Sequence, residues 1–165
     1  MNLPAVLDHI TDMEGGYRPR VYPDSLGKRT IGIGFNLDDP TAPETCTIHG
    51  LDWQKLVDGN ATIGYSDAVA ICTDQILVAK YAASSIIPKF DALPETTVQV
   101  VVLDMEFNLG HPHFSKFFET IAAINRGDFA AAAADMKASL WYQEVGRRGV
   151  ADCQLMASAV AAVTA

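Results

Sequence analysis

Leu3, Val6, Leu7, Ile10 and Met13 recur at helical spacing behind Asn2, and Gly15-Gly16 interrupts them. This predicts a first helix that delivers Glu14 at its C-terminal end. The period then shortens. Residues 17–22 and 29–33 carry β-branched and aromatic side chains on either side of Asp24-Ser-Leu-Gly27, a turn with glycine in last place, so two short strands are expected. Phe35-Asn36-Leu37 extends the pattern to a third strand. Gly32 and Gly34 alternate with Ile31 and Ile33, as occurs where backbone must closely approach a neighbour or a ligand.

Residues 38–60 are rich in Pro, Gly, Thr and Asp and predict little order beyond a helical turn at 51–57, with Trp53 and Leu56 on one side. Val69, Ala70, Cys72, Ile76, Leu77, Ala79 and Ala83 then restore the helical period. Ser66 is placed to cap this helix and Pro88 to end it, giving a long element over about 66–87. Beyond it, Pro94-Glu95 opens an apolar helix through Val98 to Leu109 that Gly110 closes, expected at the centre of a C-terminal core. Shorter helices are predicted at 114–124 and 128–136, separated by Asn125-Arg-Gly127, and a last one at about 147–163.

Composition narrows the classes. The chain has 165 residues, 49% of them hydrophobic, enough for one domain or two small lobes sharing a long element. Its apolar runs fall short of a membrane span, and the start Met-Asn-Leu-Pro-Ala-Val-Leu-Asp has no basic flank or cleavable core, so no membrane insertion and no signal peptide are expected. Cys46, Cys72 and Cys153 are too widely spaced for a zinc pattern and odd in number, which predicts free thiols. A net charge of −8 argues against nucleic acid as a partner. Arg18, Arg20, Lys28 and Arg29, with Arg147 and Arg148 later, nevertheless allow a locally basic surface.

Candidate chemistry gathers between Glu14 and Gly34. The chain has no G-x-S-x-G, Walker loop or H-E-x-x-H, and nothing near His111-Pro-His113 completes a metal ligand set. No metal or organic cofactor is expected. Two acids brought to either side of a cleft can split a glycosidic bond, one as acid and one directing water. A helix C-terminus disfavours negative charge, which suits a general acid at Glu14.

Glu14-Gly, Tyr22-x-Asp24, Gly27, Thr30-Ile-Gly32 and Gly34 resemble the catalytic core of the phage-type lysozymes, the endolysin muramidase family. Phe107-Asn108-Leu-Gly110 is similar to that family's Phe-polar-x-Gly helix end. Ser139-Leu-Trp141-Tyr142 with Val145-Gly146-Arg-Arg148 is similar to its Trp and Arg segment. The pieces occur in order over about four fifths of the chain, and residues 38–60 match poorly. Taken singly, Glu14 reads as a solvated helix-end acid, Asp24 as a turn residue, Thr30 as a strand residue, and Phe107 and Trp141 as core. Their joint order carries the resemblance.

The resemblance implies an α+β, lysozyme-like fold in a single domain: an N-terminal lobe at about 13–65 with a three-stranded antiparallel sheet, a connecting helix at about 66–87, and a helical C-terminal lobe at about 88–165 that includes the first helix. It implies hydrolysis, with inversion, of the β-1,4 bond between N-acetylmuramic acid and N-acetylglucosamine in bacterial peptidoglycan, leading to cell lysis. Glu14 would protonate the leaving oxygen, Asp24 would activate water, Thr30 would hold that water, and Arg148 would pair with Glu14. Phe107, Asn108 and Leu37 would contact substrate. A monomer is implied, made in the bacterial host cytoplasm and acting on the wall after release. One extra residue separates Glu14 from Asp24, and Gly15-Gly16 is the expected place to absorb it. Phe35 stands where many relatives carry a histidine. Alternatives are a non-catalytic peptidoglycan- or chitin-binding module on the same fold, an antibacterial toxin domain or phage tail component with the same activity, and a helical interaction protein that leaves the hairpin residues unexplained.

Overall fold

The computed structural model describes residues 1–159. It is an α+β structure, mostly helical, with one small antiparallel sheet near the N-terminus. The chain divides into two compact units, one spanning Ile10–Gln75 and the other comprising Met1–His9 with the chain from Ile76 onward. The boundaries fall inside two helices, α1 (Leu3–Met13) and α4 (Tyr65–Ile86). Among the described residues, no helix is long and apolar enough to cross a membrane.

In the Ile10–Gln75 unit, α1 stops where glycine allows it to. Gly15 and Gly16 both have positive φ, +79° and +89°. Gly16 N–H turns back to Thr11 O at 2.8 Å and Gly15 N–H to Asp12 O at 3.1 Å, closing carbonyls that the helix end would otherwise expose. The sheet follows, from β1 (Arg18–Pro23), β2 (Arg29–Gly32) and β3 (Phe35–Asn36) in the order β1-β2-β3. Thr30 lies on the central strand, opposite Tyr22 on one side and Asn36 on the other. Between Arg18 and Tyr22 the register shifts, because β1 spends more residues than β2 over the same stretch. In that stretch the Pro19 carbonyl accepts from Ile63 N at 3.0 Å.

Residues 38–60 are more ordered than their composition suggests. Asp39 Oδ1 accepts from both Thr41 N and Thr41 Oγ1, and Pro43 fits the first turn of α2 (Ala42–Ile48), a helix that β-branched Thr45, Thr47 and Ile48 conceal from a propensity reading. Asp52 caps α3 (Trp53–Val57) through Lys55 N. Helix α4 starts one residue before Ser66, which therefore lies within its first turn rather than at its cap; Gly64 O receives Ala68 N. Its 22 residues span about 33 Å. Ile31, Ile33, Leu37, Cys46, Leu56, Ile63 and Ile71 are buried in this unit.

The other unit is helical. A 3₁₀ turn at Phe90–Ala92 precedes α5 (Val98–Leu109), and the buried Gln99 side chain donates to Phe90 O and Leu93 O, tying the two together. The single helix expected at 114–124 is broken at 115–117 into α6 (His111–Phe114) and α7 (Phe118–Arg126). Gly127, left-handed at φ 76°, ends α7, and Asp128 caps α8 (Phe129–Ala138) by accepting from Ala131 N. Ser139 caps α9 (Leu140–Val145), which the sequence reading had not distinguished. Helix α10 (Arg147–Ser158) is the last described; the continuation expected to 163 lies outside the described residues from 160 onward. Helix α10 packs against α8, α9 and α5.

Candidate functional site

Glu14 stands immediately past α1, its own N–H still bonded to Ile10 O at 2.8 Å. Its carboxyl rests on Gly34. A Cβ at position 34 would lie 2.6 Å from Glu14 Cδ and 2.6 Å from Oε2, so any other residue there would push the Glu14 carboxyl group aside. Gly32 makes the same kind of approach to Ala68 Cβ, at 3.1 Å. The Gly-x-Gly pair thus seats one catalytic candidate and packs the strand against α4.

Tyr22 lies within electrostatic range of both candidate acids. Burial raises its hydroxyl pKa, Arg18 opposes that shift, and Glu14 and Asp24 add to it. The Arg18 guanidinium sits 4.2 Å over the Tyr22 ring, a cation–π contact that holds the phenol in place. Cys72 in the same unit is pushed up to about 12, chiefly by burial and further by Glu14, which keeps it a neutral thiol.

Asp24 organises its own hairpin. Its Oδ1 accepts from Leu26 N and Lys28 N, each at 2.8 Å, while its backbone N–H bonds Lys28 O and its carbonyl receives Gly27 N. Those bonds hold the carboxylate in one orientation, with Oδ2 outside the pair. Thr30 is 4% exposed and its hydroxyl donates to Lys28 O at 3.2 Å, leaving the oxygen lone pairs as acceptors. Leu37 is fully buried, and its carbonyl takes the Trp53 indole N–H at 3.0 Å. Its side chain is therefore core and offers no surface to a ligand. Nor is Arg29 part of a bare basic patch: Asp38 takes its Nε at 2.7 Å and its backbone N–H at 2.8 Å, and this hydrogen bonding lowers the Asp38 pKa.

Arg148, Phe107 and Asn108 belong to the other unit. Asn108 is exposed, and its Oδ1 accepts from Trp141 Nε1 at 3.0 Å; Trp141 itself is 4% exposed and meets Phe117 edge to face at 6.2 Å. Phe107 is half-buried. His111 binds Glu106 through Nδ1 at 2.9 Å.

Arg148 Nε lies 3.0 Å from Asp104 Oδ2. Asp104 in turn faces Asp152, and His9 Nε2 is 2.7 Å from Asp152 Oδ1. Both aspartates have completely buried side chains. Burial raises both pKa values, Asp104 to about 8, with Asp152 adding to the shift and Arg148 opposing it, and Asp152 to about 7.

His9, Asp104 and Asp152 had no role in the sequence reading. Tyr22 was legible only as part of Tyr-Pro-Asp. Asp104, placed among Val100–Leu103 and Met105 of α5, was the available sign of the buried cluster. Comparison with protein-family models finds no match for this chain, and neither does comparison with curated proteins.

Proposed function

We propose that this chain is a muramidase with a lysozyme-like fold, cleaving the β-1,4 bond between N-acetylmuramic acid and N-acetylglucosamine in bacterial peptidoglycan. The observation that carries the reading is the seat of Glu14: a carboxyl at the end of α1, lodged on the bare Cα of Gly34 in the unit that also holds Asp24 and Thr30.

Glu14 is the general acid in this reading and protonates the leaving glycosidic oxygen. Asp24, held through Oδ1 by its hairpin, directs water with Oδ2. Thr30 accepts a hydrogen bond from that water, since its own proton is engaged with Lys28 O. Inversion follows from water attacking on the face opposite the acid. Arg148 as partner of Glu14, Phe107 and Asn108 as substrate contacts, action as a monomer without cofactor, and release to the wall for lysis belong to the same proposal.

One observation favours a second reading, a non-catalytic peptidoglycan- or chitin-binding module. The two bonds that Asp24 Oδ1 accepts are what a purely structural turn aspartate would make. Purified peptidoglycan incubated with wild type and Glu14→Gln separates the two. New muramic reducing ends from wild type and a loss of at least 100-fold in Glu14→Gln support the muramidase; glucosamine ends, or none, refute it.

A further inference from the structure

Asp104, Asp152, His9 and Arg148 converge from three helices: α1 carries His9, α5 carries Asp104, and α10 carries Arg148 and Asp152. All four lie in one unit. Two carboxylates with no exposed side-chain surface are a costly arrangement, since an ionised carboxylate only accepts hydrogen bonds. Among the described residues, no donor reaches Asp104 Oδ1, Asp104 Oδ2 or Asp152 Oδ2 in hydrogen-bond geometry; Arg148 Nε is close to Asp104 Oδ2 but off the line such a bond requires. Three buried acceptors therefore lack a donor that heavy atoms do not provide.

A proton on one carboxyl engages two of these oxygens, and Asp104 Oδ2 faces the Arg148 guanidinium at 3.0 Å. The carboxyl O–H donates to the facing carboxylate, the pair carries a single negative charge, and the Arg148 guanidinium balances that charge. His9, whose charge favours ionised Asp104, reaches Asp152 Oδ1 and not one of the three oxygens that lack a donor, so it does not answer the deficit. Cys153, on α10, is held up to about 11 by burial, with Asp152 adding and Lys137 of α8 opposing, so it stays a neutral thiol. From α9, the Tyr142 ring abuts Gly149.

We propose that Asp104 and Asp152 share one proton at neutral pH and that this pair, braced by His9, makes Asp104 a positioning residue for Arg148. The catalytic consequence rests on the muramidase reading, in which Arg148 serves Glu14; the shared proton and the fixed guanidinium do not. His9, Asp104 and Asp152 also bring one potential ligand atom each within 4.8 Å of one another. The singly charged guanidinium already lies 3.0 Å from Asp104 Oδ2 and balances the one negative charge of a pair that holds a proton.

The test uses the full chain and two readouts besides activity. In carbon-detected NMR titration of wild type, one carboxyl of the pair is expected to stay protonated past pH 6. Asp104→Asn keeps size and hydrogen-bonding capacity but removes the charge facing Arg148. It is expected to accelerate exchange of the Arg148 Nε–H at least tenfold, and Asp152→Asn less. Both aspartates titrating near the ordinary value of about 4, unchanged Arg148 exchange in Asp104→Asn, or a stoichiometric divalent metal in the purified protein would each overturn the proposal. On peptidoglycan, Asp104→Asn should lower kcat roughly 10- to 100-fold with KM nearly unchanged, the mark of a misplaced group rather than lost binding. Wild type failing to cleave peptidoglycan removes the muramidase reading, and the two NMR readouts still decide the shared proton.

Discussion

The carboxyl of Glu14 occupies the space where Gly34 lacks a side chain, with Cδ and Oε2 each 2.6 Å from the position a Cβ would take. Gly34→Ala therefore meets two penalties, a left-handed backbone at φ +68° and the displacement of Glu14. The backbone alone costs roughly 1–2 kcal/mol. Gly27→Ala, at φ +77° with nothing within 4 Å, carries only that first penalty. Chemical denaturation of the two variants should show Gly34→Ala to be the more destabilised; equal losses would mean that Glu14 has no fixed seat.

Asp24 combines a structural duty with its proposed chemical one, and two substitutions separate them. Asp24→Asn keeps an oxygen for Leu26 N and Lys28 N, so its thermal stability should stay close to wild type while hydrolysis is lost. Asp24→Ala removes both bonds, at roughly 0.5–1.5 kcal/mol each. If Asp24→Asn cleaves peptidoglycan at the wild-type rate, Asp24 belongs to the turn alone.

The buried aspartates set a pH dependence of stability. Their folded pKa values, about 8 for Asp104 and about 7 for Asp152, lie above the unfolded value of about 4. Between those limits the folded chain binds more protons than the unfolded chain, so unfolding free energy falls as pH rises. The fall should be steepest between about pH 5 and 7, at up to about 1.4 kcal/mol per pH unit for each proton held, and should level off above about pH 8. Urea unfolding across that range should give a clear slope in wild type and a flatter one in Asp104→Asn.

Trp141 joins α9 to the end of α5 through a single donor. Trp141→Phe retains an aromatic ring beside Phe117 but leaves Asn108 Oδ1 without the indole N–H. Because Asn108 is exposed, water can replace that donor. The loss should be about 1 kcal/mol, against roughly 3–5 kcal/mol for Trp141→Ala, which opens a cavity. Calorimetric melting of the two variants checks the ordering.

Legibility followed the range of the interactions. The stop after Met13, the Asp24–Gly27 turn and the break at Asn125-Arg-Gly127 could be read because each is decided within about five residues by glycine φ or a side chain bonding nearby backbone. Helix α2 was hidden because its Pro and Thr residues are poor helix formers, and Asp39, just outside it, organises its start. The break at 115–117 was missed because apolar spacing continues across it from Phe114 to Ile121. Leu37 was expected at the surface on resemblance, yet burial is a property of the whole unit.

The sequence by itself determined the order of the local elements and which residue types the hairpin presents. Backbone stereochemistry and short-range hydrogen bonds act on neighbours regardless of what lies further along the chain. Only the tertiary structure decided that Gly34 is the seat of Glu14. It alone brought His9 to Asp152 across 143 positions. Nothing local marks an aspartate that will lose all its water, because desolvation is imposed by distant chain closing over it.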